Sequence, residues 1–180
     1  MSRHGDLDAL ATAIRAAVAR RTGWRETARV VASELERQLP SPSILTAEQR
    51  AGDPKTFRSH VLHSEPDGSF SIVALVWRTG QTTRIHDHVT WGAFAVIQGA
   101  EHEELFTLDE DGSCLVEAGS TVNATGDISA FAPPGDIHRV RNAGNRTAIS
   151  IHIYGTDVTR LGSSVRHDYD LPVLPARAAA

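Results

Sequence analysis

The sequence is poor in residues that would staple the chain or carry it across a membrane. It holds one cysteine, Cys114, in 180 residues. That excludes an internal disulfide framework and a cysteine-rich zinc site. No apolar run approaches the roughly 20 residues needed to cross a bilayer. The first ten residues, MSRHGDLDAL, carry early acids in place of a signal-type apolar core. Basic blocks are missing too: 18 Lys and Arg stand against 22 Asp and Glu, giving a net charge of -4 and a pI near 6.1. A polyanion partner would need clustered cations to neutralise its phosphates. The expectation is a cytoplasmic protein without nucleic-acid or membrane partners.

Histidine is what the chain has in quantity, with nine copies, so imidazole is its metal-binding resource. At 41% hydrophobic residues it has enough apolar surface for one domain with a substantial core. Leu7, Leu10, Ile14 and Val18 share a helical stripe, with Asp6 and Asp8 near the positive end of the helix dipole. Past Thr22-Gly23, the residues Trp24, Ala28, Val31, Leu35 and Leu39 repeat that spacing until Pro40 and Pro42 stop it. A short helical turn is predicted at 46–50.

Beyond Asp53 the period changes to two. Strands are predicted near 56–63, 70–78, 93–98, 103–107, 114–117, 128–132, 138–142 and 147–154, with Asp67-Gly68 and Asp111-Gly112 as hairpin turns. Many short strands at this spacing imply an all-β core, a small sandwich or barrel. The chain is read as a single domain, 1–180. It comprises an N-terminal helical cap (1–52), a β core (53–157) and a C-terminal extension (158–180) whose last residues, 175–180, are expected to fray.

The densest chemistry lies in Gly80-Gln-Thr-Thr-Arg-Ile-His86-Asp-His88 and in Pro133-Pro-Gly135-Asp-Ile-His138-Arg-Val-Arg-Asn142. Two imidazoles one residue apart on an extended chain point to the same face, so His86 and His88 can grip one ion together. A return strand carrying His138 supplies the third ligand. Farther on, Ser150, His152 and Tyr154 alternate with Ile151 and Ile153, which puts three polar side chains on one face of a strand.

These residues resemble the two motifs of the cupin superfamily. The first runs from Gly80 through His86 and His88 to Gly99, and the second fits Pro133, Gly135, His138 and Asn142. One departure stands out: Gly92 occupies the place of the cupin glutamate. Three neutral imidazoles would leave a bound metal its full charge and several open positions, which suits an anionic, electron-rich substrate. Together with the Ser-x-His-x-Tyr run, the set resembles the thiol dioxygenases, the cysteine and 3-mercaptopropionate dioxygenase family, from Phe57 to Tyr154. The segment HDHVTWG is closer to the bacterial mercaptopropionate branch.

The resemblance implies a cupin (double-stranded β-helix, jelly-roll) barrel with N-terminal α-helices, Fe(2+), and oxidation of a small thiol by O2 to its sulfinate, within sulfur metabolism. It makes Ser150, His152 and Tyr154 a relay whose tyrosine points at bound substrate. The cysteine crosslinked to that tyrosine in mammalian-type enzymes is replaced here by the Gly92-Ala93 region, so that crosslink cannot form. For the arginine that holds a substrate carboxylate in two parallel hydrogen bonds, one branch implies the strand of Arg58 and His60. The other implies a position beyond Tyr154, with Arg166 the best match and Arg160 its competitor. Trp91, beside the ligand pair, is expected to touch the pocket. His63, His102 and His167 are read as surface or structural residues, and His4 as part of a mobile N-terminus. The acids Glu101, Glu103, Glu104 and Asp109 to Asp111 are read as a solvated hairpin. Two other readings stay open: a cupin oxidase or oxygenase of another sulfur-containing metabolite, with nickel or cobalt in place of iron, and a ligand-binding cupin without turnover.

Overall fold

The structure, a computed structural model, describes residues 3–176, with side chains from Leu7 onward; the expected fraying of 177–180 and the side chain of His4 lie outside the described residues. Two helices lead the chain. In α1 (Arg3–Val18) Leu10, Ala11, Ile14 and Ala17 turn inward, and in α2 (Trp24–Arg37) Ala28, Val31 and Leu35 do the same. These stripes have the 3.6-residue period that lets a helix lie on a sheet. Trp24 departs from its predicted place in the stripe: it opens α2 with 48% of its surface exposed, while Leu39 lies beyond the helix end. The predicted turn is α3 (Ala47–Ala51). Its capping box has the Thr46 hydroxyl accepting from the Gln49 amide while Gln49 Oε1 accepts from the Thr46 amide, so two orphan donors are satisfied.

The β region forms two sheets. The first holds β1 (Arg58–Ser64), β2 (Ser71–Trp77), β4 (Gly92–Gln98), β7 (Ile128–Phe131) and β9 (Ala148–Tyr154), in the order β1-β2-β9-β4-β7, antiparallel throughout. The second holds β3 (Ile85–His88), β5 (Ala100–Leu108), β6 (Leu115–Ala124), β8 (His138–Asn142), β10 (Val165–Tyr169) and β11 (Val173–Leu174), in the order β10-β3-β8-β5-β6-β11. Both predicted hairpin turns form, with Gly68 at φ +76° and Gly112 at φ +67°, a region glycine enters without strain. The architecture is a two-sheet β sandwich with helices laid on its outside. Among the described residues no helix is long and apolar enough to cross a membrane.

The central strands of the first sheet, β2, β9 and β4, are buried on both faces. Ile72, Ala74 and Val76 of β2 and Ile149, Ile151 and Ile153 of β9 pack with Leu10, Ile14, Val31 and Leu35 of the helices. Each fully buried Ile, Val or Leu contributes about 1.5–3 kcal/mol. The alternate positions, Val73, Leu75 and Trp77 with Ser150, His152 and Tyr154, face the space between the sheets. The helices therefore seal one face of β9 and leave the other for chemistry.

The extension after residue 157 is part of this framework. A short α4 (Val158–Leu161) leads to β10, which pairs antiparallel with β3. Asp87 clamps the pair by accepting from the His167 amide at 2.8 Å and the Tyr169 hydroxyl at 3.1 Å. The sequence VRHDY carries no apolar alternation because β10 is an edge strand held through polar groups.

Candidate active site

β3 places His86 and His88 on one face, and the register pairs His86 directly with His138 at the start of β8. All three imidazoles are buried, and their candidate ligand atoms lie within 4.8 Å of one another. Each Nδ1 has an acceptor: the Arg84 carbonyl at 3.0 Å for His86, Asp136 Oδ2 at 3.0 Å for His88, and Glu103 Oε1 at 2.7 Å for His138. Those acceptors keep the ring proton on Nδ1, so the three Nε2 lone pairs converge. The Nε2 atoms of His86 and His138 stand 3.3 Å apart. Two lone pairs that close repel each other unless a cation lies between them, and the spacing suits nitrogens bound at about 2.0–2.1 Å to one ion. Burial first, then the charges of His138 and His88, holds His86 down to about 3, so it is neutral at physiological pH. The donor set fits a divalent metal.

Glu103 and Asp136 are two site residues that the sequence reading did not find. The solvated hairpin expected for Glu101 and Glu103 is not what forms: Glu103 and Glu101 are both buried, 9% and 0% exposed. They sit two apart on β5, and that pleat turns them inward, whereas Glu104 between the sheets' edge and solvent pairs with Arg139 at 2.8 and 2.9 Å. Their i, i+2 spacing was the available signal. Replacing Glu103 by Gln is expected to lower divalent-metal affinity by about 10–100-fold, as measured by metal titration, because the amide is a weaker acceptor for the His138 N–H.

Gly92 and Phe131 explain the missing carboxylate. A Cβ on Gly92 would stand 2.3 Å from the Phe131 ring, which fills the space where a longer side chain would extend. Phe131 also packs against His88, with ring centroids 4.2 Å apart and the planes tilted by 30°. Gly92→Ala is expected to destabilise the protein by about 1–3 kcal/mol through overpacking, as read from denaturant unfolding. Equal stability would show that the ring yields.

Ser150, His152 and Tyr154, expected to act as a relay, form a hydrogen-bonded chain. Tyr154 Oη lies 3.2 Å from His152 Nδ1, and His152 Nε2 lies 2.9 Å from Ser150 Oγ. The Trp77 indole N–H reaches that same Oγ at 3.4 Å. Burial pushes the Tyr154 hydroxyl up to about 12, and Ser164 is a polar neighbour that opposes the shift. Burial first, then the charges of His138, His88 and His86, takes His152 down to about 3. At neutral pH the relay is therefore a chain of uncharged groups.

A cavity of about 520 Å³ leads from the surface to this centre. At its floor is a nook of about 20 Å³, bounded by His86, His88, His138, His152 and Tyr154, large enough for an ion or one water. The expected anchors are elsewhere. Ser59 and Val61 of β1 line the cavity, so the pleat turns Arg58 and His60 away. Arg58 pairs with Asp53, and His60, its pKa lowered by burial and by Arg58, lies toward α3. Arg166 is exposed on β10 while Val165 and Asp168 face the cavity, and Arg160 is exposed on α4. Trp91 is not in the cavity wall either. It belongs to the helix-side core, pressed against Gly155 so closely that a Cβ there would lie 2.2 Å from its Nε1.

Among the described residues the arginine that lines the cavity is Arg84, two residues before His86, with its guanidinium 3.7 Å from Asp168 at the rim. Nothing in the sequence pattern singles it out. His63 and His167 are structural as expected, contacting Glu65 and Asp87. Cys114, half-buried at the entry to β6, lines neither the cavity nor the nook.

Solved structures with similar folds include the Cupin_2 domain of an XRE family transcriptional regulator from Enterobacter cloacae, 16% identical, covering 55% of this chain and 95% of that one at a TM-score of 0.41. A cupin superfamily protein from Desulfitobacterium hafniense is 15% identical, covering 64% and 86% at a TM-score of 0.45. Oxalate decarboxylase from Bacillus subtilis is 16% identical, covering 58% and 27% at a TM-score of 0.46. In sequence, residues 53–161 match the family described as cysteine dioxygenase type I. Because that match runs from before β1 to the end of α4, and so takes in the three converging histidines and the relay, the chain belongs to the cysteine dioxygenase type I family.

Proposed function

We propose that the protein is an iron(II) thiol dioxygenase that oxidises a small thiol carboxylate to its sulfinate with O2. The observation that supports this most is the convergence of three Nε2 lone pairs and the Tyr154 hydroxyl on one ion-sized nook at the floor of a substrate-sized cavity. His86, His88 and His138 would hold the iron, which when bound supplies a charge that favours thiolate over thiol and redox chemistry toward O2. Neutral imidazoles add no negative charge of their own, so the nook prefers an anionic ligand. Tyr154, protonated at neutral pH, offers a hydrogen bond there, and His152 with Ser150 fixes the direction of its hydroxyl. Val61, Val73 and Leu75 keep water from the substrate's methylene carbons. Arg84 at the rim is the cation available to a carboxylate, and holding that end fixes the sulfur in place.

The test is oxygen consumption by iron-loaded protein against 3-mercaptopropionate, cysteine, cysteamine and mercaptosuccinate, with product mass analysis. Uptake with the carboxylate-bearing thiols, and products heavier by one O2, is expected; absence of uptake with every thiol overturns the proposal. Arg84→Ala is expected to raise KM roughly tenfold for the carboxylate-bearing thiols and leave cysteamine unchanged. A charge-assisted hydrogen bond at an exposed rim is discounted by solvent to about that size.

A further inference from the structure

Glu101 is completely buried, and the chemistry assigned so far does not use it. Neither carboxyl oxygen has a hydrogen-bond partner of standard geometry. Burial is the largest influence on its pKa, lifting it to about 7; the Ser150 hydroxyl and Trp77 N–H favour the ionised form, and the Glu103 charge opposes it. Ser150 is the far end of the relay that reaches the nook through His152 and Tyr154. An otherwise unpartnered acid therefore stands against the one relay member that has no substrate-side role.

We propose that Glu101 is the inner terminus of the Ser150-His152-Tyr154 relay, and that its protonation state sets the direction of every hydrogen bond along it. Tyr154 then either donates into the nook or donates back to His152. The inference rests on the relay reading above and makes Glu101 a positioning residue.

His152 is neutral, so it carries one ring proton, on Nδ1 or on Nε2. Ser150 Oγ has one hydrogen and two lone pairs, and the Trp77 N–H occupies one lone pair. When Glu101 is protonated, it donates to the second lone pair, so Ser150 donates to His152 Nε2. The His152 proton then sits on Nδ1 and is donated to the Tyr154 oxygen, which turns the tyrosine hydrogen outward, toward Ser164 or the nook. When Glu101 is ionised, Ser150 donates to the carboxylate and accepts from His152 Nε2–H. The bare Nδ1 now accepts from Tyr154, and its hydrogen is withdrawn. The two states differ by one proton, lost from Glu101 to solvent.

Other groups facing Glu101 do not supply this switch. Glu103 on the same strand is hydrogen-bonded to His138 and Asn123. Strand β8 presents Asn142 at its register position, β6 presents Asn123, and β2 presents Trp77, none of which titrates. Tyr154 on β9 feels the Glu101 charge but stays protonated at neutral pH.

The test reads the His152 tautomer by nitrogen NMR of the full chain with labelled histidine, metal-free and again with one equivalent of Zn(II). The His152 signals are assigned by their loss in His152→Gln. The ring proton is expected on Nδ1 well below pH 7 and on Nε2 well above it, with a midpoint near 7. In Glu101→Gln, whose amide does not titrate, it should stay on one nitrogen across the range. Ser150→Ala, which leaves Glu101 in place but cuts the link, should also abolish the pH switch while the carboxyl stretch of Glu101 still titrates in infrared spectra. A wild-type tautomer that does not change with pH, or a switch that survives in either variant, overturns the inference. No thiol and no iron enter these measurements, so failure of the dioxygenase reading would leave their outcome interpretable.

Discussion

Replacing His86 by alanine is expected to abolish stoichiometric binding of a divalent metal while the protein stays folded. His86 is one of three neutral donors, its Nδ1 is tied to the Arg84 carbonyl, and its Nε2 stands 3.3 Å from that of His138. Two histidines alone leave an ion mostly solvated, so affinity should fall by more than the roughly 100-fold that losing an outer hydrogen-bond partner costs. Fold integrity should survive because the ring borders the cavity, and the helix-side core does not depend on it. Metal content and thermal unfolding with added Fe(II) or Co(II) check the prediction. A metal present at a hundredfold excess over its Kd stabilises the wild type by about 2.7 kcal/mol, and that increment should vanish in the variant. A variant that still binds one equivalent would mean that the three converging nitrogens are not the ligand set.

Tyr154→Phe should separate metal binding from chemistry. The substitution removes one hydroxyl and leaves His86, His88 and His138 untouched, so metal content should be unchanged. It takes away the hydrogen bond that Tyr154 offers into the nook. Losing one preorganised donor of this kind typically costs about 10²–10³ in kcat. It also leaves His152 Nδ1 without its 3.2 Å partner in a buried site, with a stability loss of about 1–3 kcal/mol. The assay compares kcat and KM for thiol-dependent oxygen uptake, together with the ratio of oxygen consumed to sulfinate formed. Wild-type kinetics in this variant would remove Tyr154 from the mechanism.

The side chains that share one strand were legible in the sequence because they depend on strand periodicity alone, whereas His138 entered through the second motif and its place opposite His86 is a matter of register. His86 and His88 share a face, as do Ser150, His152 and Tyr154, since successive side chains on a strand alternate in any fold. The anchors show where that logic stops. Arg58 and His60 do share a face of β1, but periodicity does not say which face looks inward, and the structure turns Ser59 and Val61 to the cavity. Arg166 was expected from the resemblance alone; it lies at a register shift in β10 between Val165 and His167 and is exposed, while Val165 lines the cavity.

Local patterning thus decided the helices, most strands, both glycine turns and the two groups of functional side chains, because these follow from contacts within a few residues. What joins one strand or loop to another was decided only by tertiary structure. The pairing of Glu103 with His138 and of Asp136 with His88, the Phe131 ring over Gly92, and Glu101 against Ser150 join residues on different strands or loops. A run such as Glu101 to Glu104 looks like a solvated hairpin until a second sheet covers one of its faces. Burial then turns two ordinary acids into groups whose protons and hydrogen bonds matter to the site, and burial depends on what lies across the sandwich.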